Sequence, residues 1–367
     1  MNNSFTIHTT TYTPQEPLII AELGTGHAAD PVKAKELIDA AFESGAGCIK
    51  TQIVYADEIL HPKTGEVNLP GGKIRLYDRF KQLEVKPEFF ALMKEHTQAR
   101  GMLFLATPFG ARSAQELQAL KPGVFKVASP ELNHRTLLQQ IASYRSPVLL
   151  STGVSRLGDI ENALDLLLGL PVCLFHCVTA YPAPESDYNL RVLESLSYIF
   201  GRPVGVSDHS LDPELIPALS IAVGAVAVEK HFCLSRKDSG LDDPIALAPE
   251  LFSRMVKAIR RAGIQSPQET IAAIAKERGA DVVQDILGNG VKQLASSEAT
   301  NYRRTNRSIH ALRDIEAGEI ITACMIATLR TEKILRPGLD PVWELDIIGR
   351  PARNFIPAGE GIRFEDI

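Results

Sequence analysis

Short apolar runs alternate with amphipathic stretches along the chain from residue 18 to about residue 263. The runs are rich in Val, Ile and Leu and show little alternation of apolar and polar positions, which is typical of strands buried on both faces. They are LIIAE (18–22), CIKTQ (48–52), LFLAT (103–107), VFKVAS (124–129), PVLLST (147–152), VCLFHC (172–177), VGVS (204–207) and VAVEKH (226–231). We therefore predict eight buried strands.

Helical patterns fill the intervals between these runs. The clearest covers residues 30–45, where Asp30 suits the N-cap, Pro31 the first turn and Gly45 the C-terminal end. Further helices are predicted at 87–100, 112–120, 134–143, 156–168, 211–223 and 249–262. Eight strand–helix units in a row predict an α/β fold of the (β/α)8 TIM-barrel type. A doubly wound open sheet is the alternative, which eight units disfavour.

The pattern divides the chain into four segments. We predict an N-terminal extension (1–17), a barrel (18–263), a linker (264–304) and a small C-terminal domain (305–367). Within the last, DIEAGEIITACMI resembles FIPAGEGIRFEDI, each with an Ala-Gly-Glu turn between apolar runs, which predicts two pseudo-symmetric halves. A domain of about 60 residues is marginal alone, so it is expected to dock on another surface. The long connection 53–86 is predicted to lie above the barrel opening.

Composition and charge narrow the class of protein. The chain has 367 residues, of which 45% are hydrophobic and 23% charged, as in ordinary globular proteins. A net charge of −5 gives no general attraction to nucleic acid or anionic membranes. Five cysteines do not make a disulfide framework, so reduced thiols are expected. The polar start MNNSFTIHTT lacks a signal-peptide pattern, and no apolar run reaches the ~18–20 residues of a membrane span. A cytoplasmic location is predicted.

Polar residues end all eight apolar runs, and the C-terminal strand ends (the mouth of the barrel) are where TIM-barrel enzymes carry catalytic groups. They are Glu22, Lys50, Gln52, Thr107, Lys126, Ser129, Glu131, Ser151, Thr152, Thr179, Tyr181, Ser207, Asp208, His209, Glu229, Lys230 and His231. Burying so many polar groups without partners would cost several kcal/mol. The set therefore indicates a binding site.

Two chemistries can be read from this set. Lysines supply point charge and hydroxyls supply directed donors, which together suit a bound phosphate and carboxylate. The residues concerned are Lys50, Lys126, Thr107, Ser129, Ser151 and Ser207. His209 and His231 end neighbouring strands and could share one divalent ion; the alternative is two histidines satisfied by protein groups near the rim.

Three carboxylates are further candidates for acid–base work or for accepting sugar hydroxyls: Glu22, Glu131 and Asp242. Two have structural alternatives that the sequence leaves open. Glu131 could cap the helix that begins near His134, and Asp242 could shape a turn in the SGLDDP loop.

The strand-end motifs resemble the sialic acid synthase family. The matching strings are IIAELG-x-x-H (19–27), IKTQ (49–52), LATPF (105–109), FKVASPE (125–131), LLSTG (149–153), HCVTAYP (176–182), GVSDHS (205–210) and VEKHF (228–232). The C-terminal segment, with ILRPG (334–338), resembles the antifreeze-like (SAF) domain that ends these enzymes. Gly26 and Pro130 depart from the Asn and Gly that family members commonly carry in the first and fourth motifs.

The resemblance implies a transferase that condenses phosphoenolpyruvate, an amino sugar and water into a nine-carbon 2-keto sugar acid plus phosphate. The implied phosphoenolpyruvate ligands are Lys50, Thr107, Lys126, Ser129, Ser151, Thr179 and Ser207. The implied sugar contacts are Gln52, Glu131, Tyr181, Asp242 and, from the partner subunit of a domain-swapped homodimer, the partner's Arg336. The implied catalytic residues are Glu22, Glu131, Lys50 and Tyr181. His209 and His231 would hold a divalent metal, expected to be Mn²⁺, with Mg²⁺ or Co²⁺ as alternatives.

N-acetylmannosamine, leading to N-acetylneuraminate, is the first choice of sugar. Diacetamido-trideoxy sugars, leading to legionaminic or pseudaminic acid, are the alternative. A Schiff-base aldolase with Lys50 or Lys126 as nucleophile is a more distant possibility. A non-catalytic sugar-binding protein is another, which the charged strand ends disfavour.

Overall fold

The apolar runs form strands where the sequence predicts them. The computed structural model describes residues 3–69, 72–238, 240–332 and 334–367. Its strands are β1 (Phe5–Ile7), β2 (Thr10–Tyr12), β3 (Leu18–Gly24), β4 (Cys48–Ile53), β5 (Glu66–Leu69), β6 (Gly72–Arg75), β7 (Leu103–Pro108), β8 (Phe125–Val127), β9 (Val148–Ser151), β10 (Val172–Cys177), β11 (Val204–Asp208), β12 (Ala227–His231), β13 (Arg307–Ala311) and β14 (Ile326–Arg330).

Helices connect the strands and cover the outside of the sheet. They are α1 (Pro31–Glu43), α2 (Ala56–Ile59), α3 (Leu76–Gln82), α4 (Pro87–Ala99), α5 (Ala111–Ala119), α6 (Arg135–Ser143), α7 (Leu157–Leu166), α8 (Val192–Phe200), α9 (Leu215–Ala222), α10 (Pro249–Ile264), α11 (Pro267–Arg278), α12 (Ala280–Leu287) and α13 (Glu344–Ile347). As predicted, Asp30 caps α1 by accepting from the Val32 N–H, and proline opens the helix.

Eight parallel strands of the described chain form one sheet in the order β7-β4-β3-β12-β11-β10-β9-β8. The two end strands, β7 and β8, lie next to each other, so the sheet curves into a barrel. The predicted (β/α)8 barrel with a small C-terminal domain is therefore confirmed.

Alternation along each strand decides which side chains enter the barrel. Inward residues fill the lower interior with apolar groups, while their neighbours pack against the helices. The inward set includes Leu18, Ile20, Cys48, Leu105, Leu149, Cys173, Phe175 and Ala227. Two residues further along β3, β4 and β12 the same alternation brings Glu22, Lys50 and Glu229 to the top of this interior. A charged layer therefore lies directly on an apolar floor.

The N-terminal extension forms a β1–β2 hairpin against the lower end of the barrel. Phe5 and Ile7 are buried there and pack with Leu18 and Ile20 of the interior. The hairpin thus covers the end of the barrel opposite the mouth.

One helix was missed by the sequence-based expectation, and the long connection contains secondary structure. Helix α8 was not among the predicted helices, because its sequence VLESLSYIF is apolar on several faces: Leu193 and Leu196 are buried while Tyr198 and Ile199 are exposed. The connection 53–86, of which residues 70 and 71 lie outside the described part, holds helices α2 and α3 and the β5–β6 hairpin.

The C-terminal domain pairs the two copies of its internal repeat. Ile315 and Ile356 occupy equivalent repeat positions, and each donates its N–H to the carbonyl of the other at 2.9 Å. Gly318 and Gly359 follow them, both with positive φ (83° and 93°), where a side chain would strain the turn. The repeat therefore builds two similar turns around a small isoleucine-rich core.

A buried arginine docks this domain on the barrel. The side chain of Arg307 donates to the carbonyls of Glu58 in α2 (2.6 Å) and of Phe109 after β7 (2.7 Å), and to the carboxylate of Glu131 (2.5 Å). Its side chain is fully buried, so the contact is part of the folded core and not a surface attachment.

The five cysteines are free thiols, four of them buried, as the absence of a disulfide pattern predicts. Among the described residues we find no helix with the length and apolar character that a membrane crossing needs.

Candidate active site

The mouth of the barrel is a cavity surrounded by the polar strand ends. Its lining residues are Glu22, Lys50, Gln52, Lys126, Ala128, Ser129, Pro130, Ser151, Cys177, Thr179, Tyr181, Ser207, His209, Glu229 and His231. Eleven of these come from the sequence-predicted site. Thr107 also belongs to the inward-facing set, and its buried hydroxyl has no hydrogen-bond partner within the described chain.

Two lysines and two glutamates alternate across the floor of the mouth. The Lys50 Nζ lies 2.6 Å from a Glu22 oxygen and 3.4 Å from Glu229, while the Lys126 Nζ lies 3.8 Å from Glu229. All four side chains are buried. Their charges cancel, which is how such a layer can lie on an apolar floor.

The two lysines are unequally paired. Burial lowers the pKa of Lys50, but the adjacent Glu22 and Glu229 carboxylates outweigh it, and the net pKa is raised. Burial also lowers the pKa of Lys126, and this effect is larger than the opposite effect of the more distant Glu229 carboxylate. The net pKa of Lys126 is therefore lowered. Lys126 is therefore the cation whose charge an incoming anion would stabilise most.

Burial alone would raise the pKa of Glu229, but Lys126 and Lys50 lower it to about 2. Glu229 is therefore ionised at neutral pH and shared between both lysines. An anionic ligand that binds Lys126 must compete with this carboxylate.

Four hydroxyl groups line the cavity together with Lys126 and are called the hydroxyl ring here: those of Ser129, Ser151, Thr179 and Ser207. The Lys126 ammonium contacts the Ser151 hydroxyl, which lies 3.3 Å from that of Ser207. The Ser129 hydroxyl accepts from the Gly153 N–H at 3.0 Å. A Cβ on Gly153 would lie 2.3 Å from the Thr179 hydroxyl and 2.9 Å from that of Ser129, so glycine is needed to bring these two hydroxyls together.

The two candidate metal histidines lie side by side in the mouth. Their ring centroids are 5.5 Å apart, and the ring of Tyr181 stacks on His209 at 4.3 Å. The His209 Nδ1 lies 2.9 Å from the Val178 carbonyl, which leaves Nε2 for a ligand, as is usual for metal-binding imidazoles. His231 Nδ1 lies 3.9 Å from a carboxylate oxygen of Asp242.

These residues fit a divalent ion only in part. Within the described ranges, no cluster of three or more His, Cys, Asp or Glu side chains is arranged to hold a metal. The chain thus offers two imidazoles, and water or substrate must complete the coordination.

The two imidazoles also differ in protonation. Burial lowers the pKa of His231. Burial would lower that of His209 as well, but Cys177 and the Val178 carbonyl raise it to about 9. Metal binding at His209 would therefore displace a proton.

Side chains predicted to face the sugar lie at the rim. Gln52 donates to Glu22 at 2.8 Å, and a Cβ built on Gly24 would lie 3.3 Å from Asp242 and 3.5 Å from Gln52. Tyr181 is 54% exposed, in contrast to the buried lysines below it. The rim therefore combines an aromatic face with carboxylate and amide groups.

Glu131 differs from the predicted sugar contact. It is fully buried, and its two oxygens accept from Arg307 (2.5 Å) and Arg330 (2.7 Å) of the C-terminal domain and from His134 (3.2 Å). Burial would raise the pKa of Glu131, but the two guanidinium groups hold it far below its usual range. The structure thus uses both oxygens for docking the domain and does not bring them into the mouth.

Arg336 donates to the Gly361 carbonyl (2.9 Å) and to Asp366 (2.5 Å) within its own domain. The prediction that it serves the mouth of a second subunit concerns a dimer and stays a prediction.

Four lining residues were assigned no ligand or catalytic role from the sequence: Ala128, Pro130, Cys177 and Glu229. Glu229 was included among the polar strand ends, and its inward direction follows because it comes two residues after the inward-facing Ala227 in VAVEKH. Cys177 follows Phe175 in the same way, and its sulfur lies 3.8 Å from His209. Its placement beside an imidazole follows from the neighbouring strands, which strand alternation alone does not reveal.

We expect Lys126→Met to weaken the binding of inorganic phosphate about tenfold to a hundredfold, as loss of a charge-assisted hydrogen bond does. Isothermal titration calorimetry measures this directly. Lys257→Met, on the exposed face of α10, is the matched control and should bind phosphate like the wild type. Equal affinities in both variants would remove Lys126 from the anion site.

A (β/α)8 barrel with a charged, hydroxyl-lined mouth and paired imidazoles defines the chain as a barrel enzyme and not a scaffold. The chain belongs to the NeuB family, whose profile matches residues 37–269, and a SAF-domain profile matches residues 306–367. The resemblance to sialic acid synthases is thereby confirmed.

Several proteins are similar to the chain over nearly its whole length. An uncharacterized protein of Methanocaldococcus jannaschii is 32% identical over 95% of this chain and 94% of its own. The N,N'-diacetyllegionaminic acid synthase of Legionella pneumophila is 30% identical, with 95% and 94% covered. The crystal structure of spore coat polysaccharide biosynthesis protein SpsE from Bacillus subtilis superposes with a TM-score of 0.81 at 30% identity, covering 99% of both chains. The prediction that the chain is an enzyme of the sugar-acid-synthase class is confirmed.

Proposed function

We propose that this enzyme condenses phosphoenolpyruvate with the aldehyde of a 2-acetamido sugar and water, giving a nine-carbon 2-keto sugar acid and inorganic phosphate. The observation that carries the proposal is one cavity lined both by Lys126 with its neighbouring hydroxyls and by two adjacent imidazoles. The lysine and the hydroxyls suit the anionic reactant, and the imidazoles suit a divalent ion that would polarise a sugar aldehyde.

Phosphoenolpyruvate brings several negative charges into a mouth whose own charges cancel. Lys126 and Lys50 would hold its phosphate and carboxylate, and the Ser151, Ser207 and Thr179 hydroxyls would orient them. Preorganised donors of this kind stabilise the charge that shifts toward the leaving phosphate. Glu229 would keep the lysines apart before the ligand arrives.

Bond formation follows from this arrangement. The terminal carbon of phosphoenolpyruvate attacks the sugar aldehyde carbon, and the aldehyde oxygen takes the carbonyl electron pair and a proton to become a hydroxyl. A water oxygen adds to the carbon that bears the phosphate. Glu22, held by Lys50 and Gln52, would accept a proton from that water. Collapse of the resulting tetrahedral carbon expels phosphate together with the bridging oxygen. A divalent ion held by His209 and His231, expected to be manganese, would supply Lewis-acid polarisation of the aldehyde.

The names of similar proteins support the proposed class of sugar substrate. Two N,N'-diacetyllegionaminic acid synthases are 30% identical, and pseudaminic acid synthases are 27–28% identical. The mouse N-acetylneuraminate-9-phosphate synthase is 26% identical, and a Leptospira borgpetersenii N-acetylneuraminic acid synthetase structure is 29% identical with a TM-score of 0.66. All these products imply an acetamido aldehyde at the reacting end. We therefore propose that class, with N-acetylmannosamine and the diacetamido-trideoxy sugars as its members to test.

The test is a panel of these sugars with phosphoenolpyruvate and manganese, monitored by phosphate release and by mass spectrometry of the keto acid. We expect one sugar to give phosphate and keto acid in equal amounts. With ¹⁸O in the bridging position, the label is expected in phosphate. Label in the keto acid, or borohydride trapping of Lys126 with pyruvate as in a Schiff-base aldolase, would contradict the proposal.

A further inference from the structure

The segment between α12 and β13 is hydrogen-bonded to two loops at the mouth of the barrel. This segment, residues 288–306, is called the strap here. It contacts the loop after β9, which carries Gly153 and Val154, and the loop after β10, which carries Thr179. Both loops supply groups to the anion-binding part of the mouth.

The strap forms hydrogen bonds to both backbone groups of Val154 and to both backbone groups of Thr179. For Val154, the N–H donates to Glu298 at 2.9 Å and the carbonyl accepts from Asn306 at 3.2 Å. For Thr179, the N–H donates to the same Glu298 oxygen at 2.8 Å and the carbonyl accepts from Asn301 at 3.1 Å. Lys292 adds a bond of 2.9 Å to the Thr152 carbonyl.

The Glu298 carboxylate is the centre of this arrangement. It is 1% exposed and is inserted between the two loops, so that one oxygen holds the two N–H groups together. Val154 needs such support, because a β-branched residue with φ of +42° is strained and persists only when its surroundings hold it.

The two loops meet at the hydroxyl ring. Gly153, next to Val154, donates its N–H to the Ser129 hydroxyl. A Cβ at position 153 would clash with the Thr179 hydroxyl. Fixing the backbone of Val154 and Thr179 therefore fixes the spacing between the hydroxyls of Ser129 and Thr179.

We infer that Glu298 is a positioning residue for the anion subsite, and that the strap is part of the active site and not merely a connection between domains. The inference rests on the proposed function in one respect, the identity of the anion as phosphoenolpyruvate. Glu298 touches no reactant; it acts through the loops that it holds.

The test compares Glu298→Ala, Glu298→Gln and the exposed α12 control Asp281→Asn in the full-length protein. Alanine leaves two buried N–H groups without an acceptor, so we expect about a tenfold rise in KM for phosphoenolpyruvate and in the Kd of inorganic phosphate. The KM for the sugar should change less than about twofold. One amide oxygen of glutamine can accept both N–H groups, whereas its NH2 would replace the oxygen that accepts from the Ala295 N–H at 3.3 Å. Glu298→Gln should therefore recover most, but not all, of the affinity that Glu298→Ala loses.

Different outcomes separate the two proposals. Unchanged phosphate affinity in Glu298→Ala, or an equal rise in both KM values with no rescue by glutamine, would overturn the role of Glu298. Wild-type protein that binds phosphate but turns over no sugar would overturn the proposed function and leave the strap testable by phosphate binding. Wild-type protein that binds neither phosphate nor phosphoenolpyruvate would overturn both. If Glu298→Ala fails to fold, Asn301→Ala, which removes one bond to the Thr179 carbonyl, should raise the same two constants by a smaller factor.

Discussion

Replacing His209 by alanine is expected to lower kcat about a thousandfold, because Lewis-acid polarisation contributes several kcal/mol and each 1.36 kcal/mol is a factor of ten. The described residues offer two adjacent imidazoles and no larger ligand cluster, so one histidine alone would bind a divalent ion weakly. Titration of Mn²⁺ followed by electron paramagnetic resonance should therefore show loss of tight binding in this variant.

The control for that experiment is His96→Ala on helix α4. His96 pairs with Asp39 at 2.7 Å in the outer helical layer, so its loss should alter neither manganese binding nor kcat. Full activity of the wild type after exhaustive chelation would show that the reaction needs no metal. Wild-type manganese affinity in His209→Ala would place the metal elsewhere.

Replacing Glu131 by alanine is expected to destabilise the docked C-terminal domain by about 3–5 kcal/mol, the usual effect of removing one partner of a buried ion pair. Arg307 would lose its only carboxylate contact among the described residues, while its side chain stays buried. Trp343 is the only tryptophan of the chain and lies in the C-terminal domain, so its fluorescence during urea unfolding reports on this domain. Glu161→Gln, exposed on α7, is the control.

The ion pairs of Glu131 with Arg307 and Arg330 predict that the stability of the docked C-terminal domain depends on pH. The folded-state pKa of Glu131 is depressed by Arg307 and Arg330, so its contribution is fully present above the unfolded carboxyl value of about 4.3 and is lost as the pH falls below it. The stability difference between the wild type and Glu131→Gln should therefore shrink as the pH is lowered from 6 to 3. A difference that stays constant over that range would show that the carboxylate charge does not hold the domain.

The strand ends could be predicted from the sequence because a β-strand alternates with a period of two. Once Ile20 and Cys48 are placed in the barrel interior, Glu22 and Lys50 must follow on the same side. Helix α8 could not be predicted in this way, because its apolar residues occur on several faces and leave the period ambiguous.

The partners of Glu131 and Glu298 were beyond the reach of local patterns. Arg307 is 176 residues from Glu131, and Glu298 is 144 residues from Val154. Each carboxylate looks like a candidate for chemistry or a surface charge until the chain has folded and brought its partner to it. Tertiary contact therefore decides whether such a residue serves a substrate or another part of the protein.

The N-terminal hairpin closes the lower end of the barrel, and ligands are therefore expected to enter through the mouth. Phe5 and Ile7 cover its base, while Lys126 and Ser151 are buried in the cavity that the more exposed Tyr181 also lines. An anion that binds the lysines would pass the rim at which the sugar is proposed to bind. We therefore expect the two reactants to bind in a fixed order, with the anion first and the sugar second. The bound sugar would then block release of the anion.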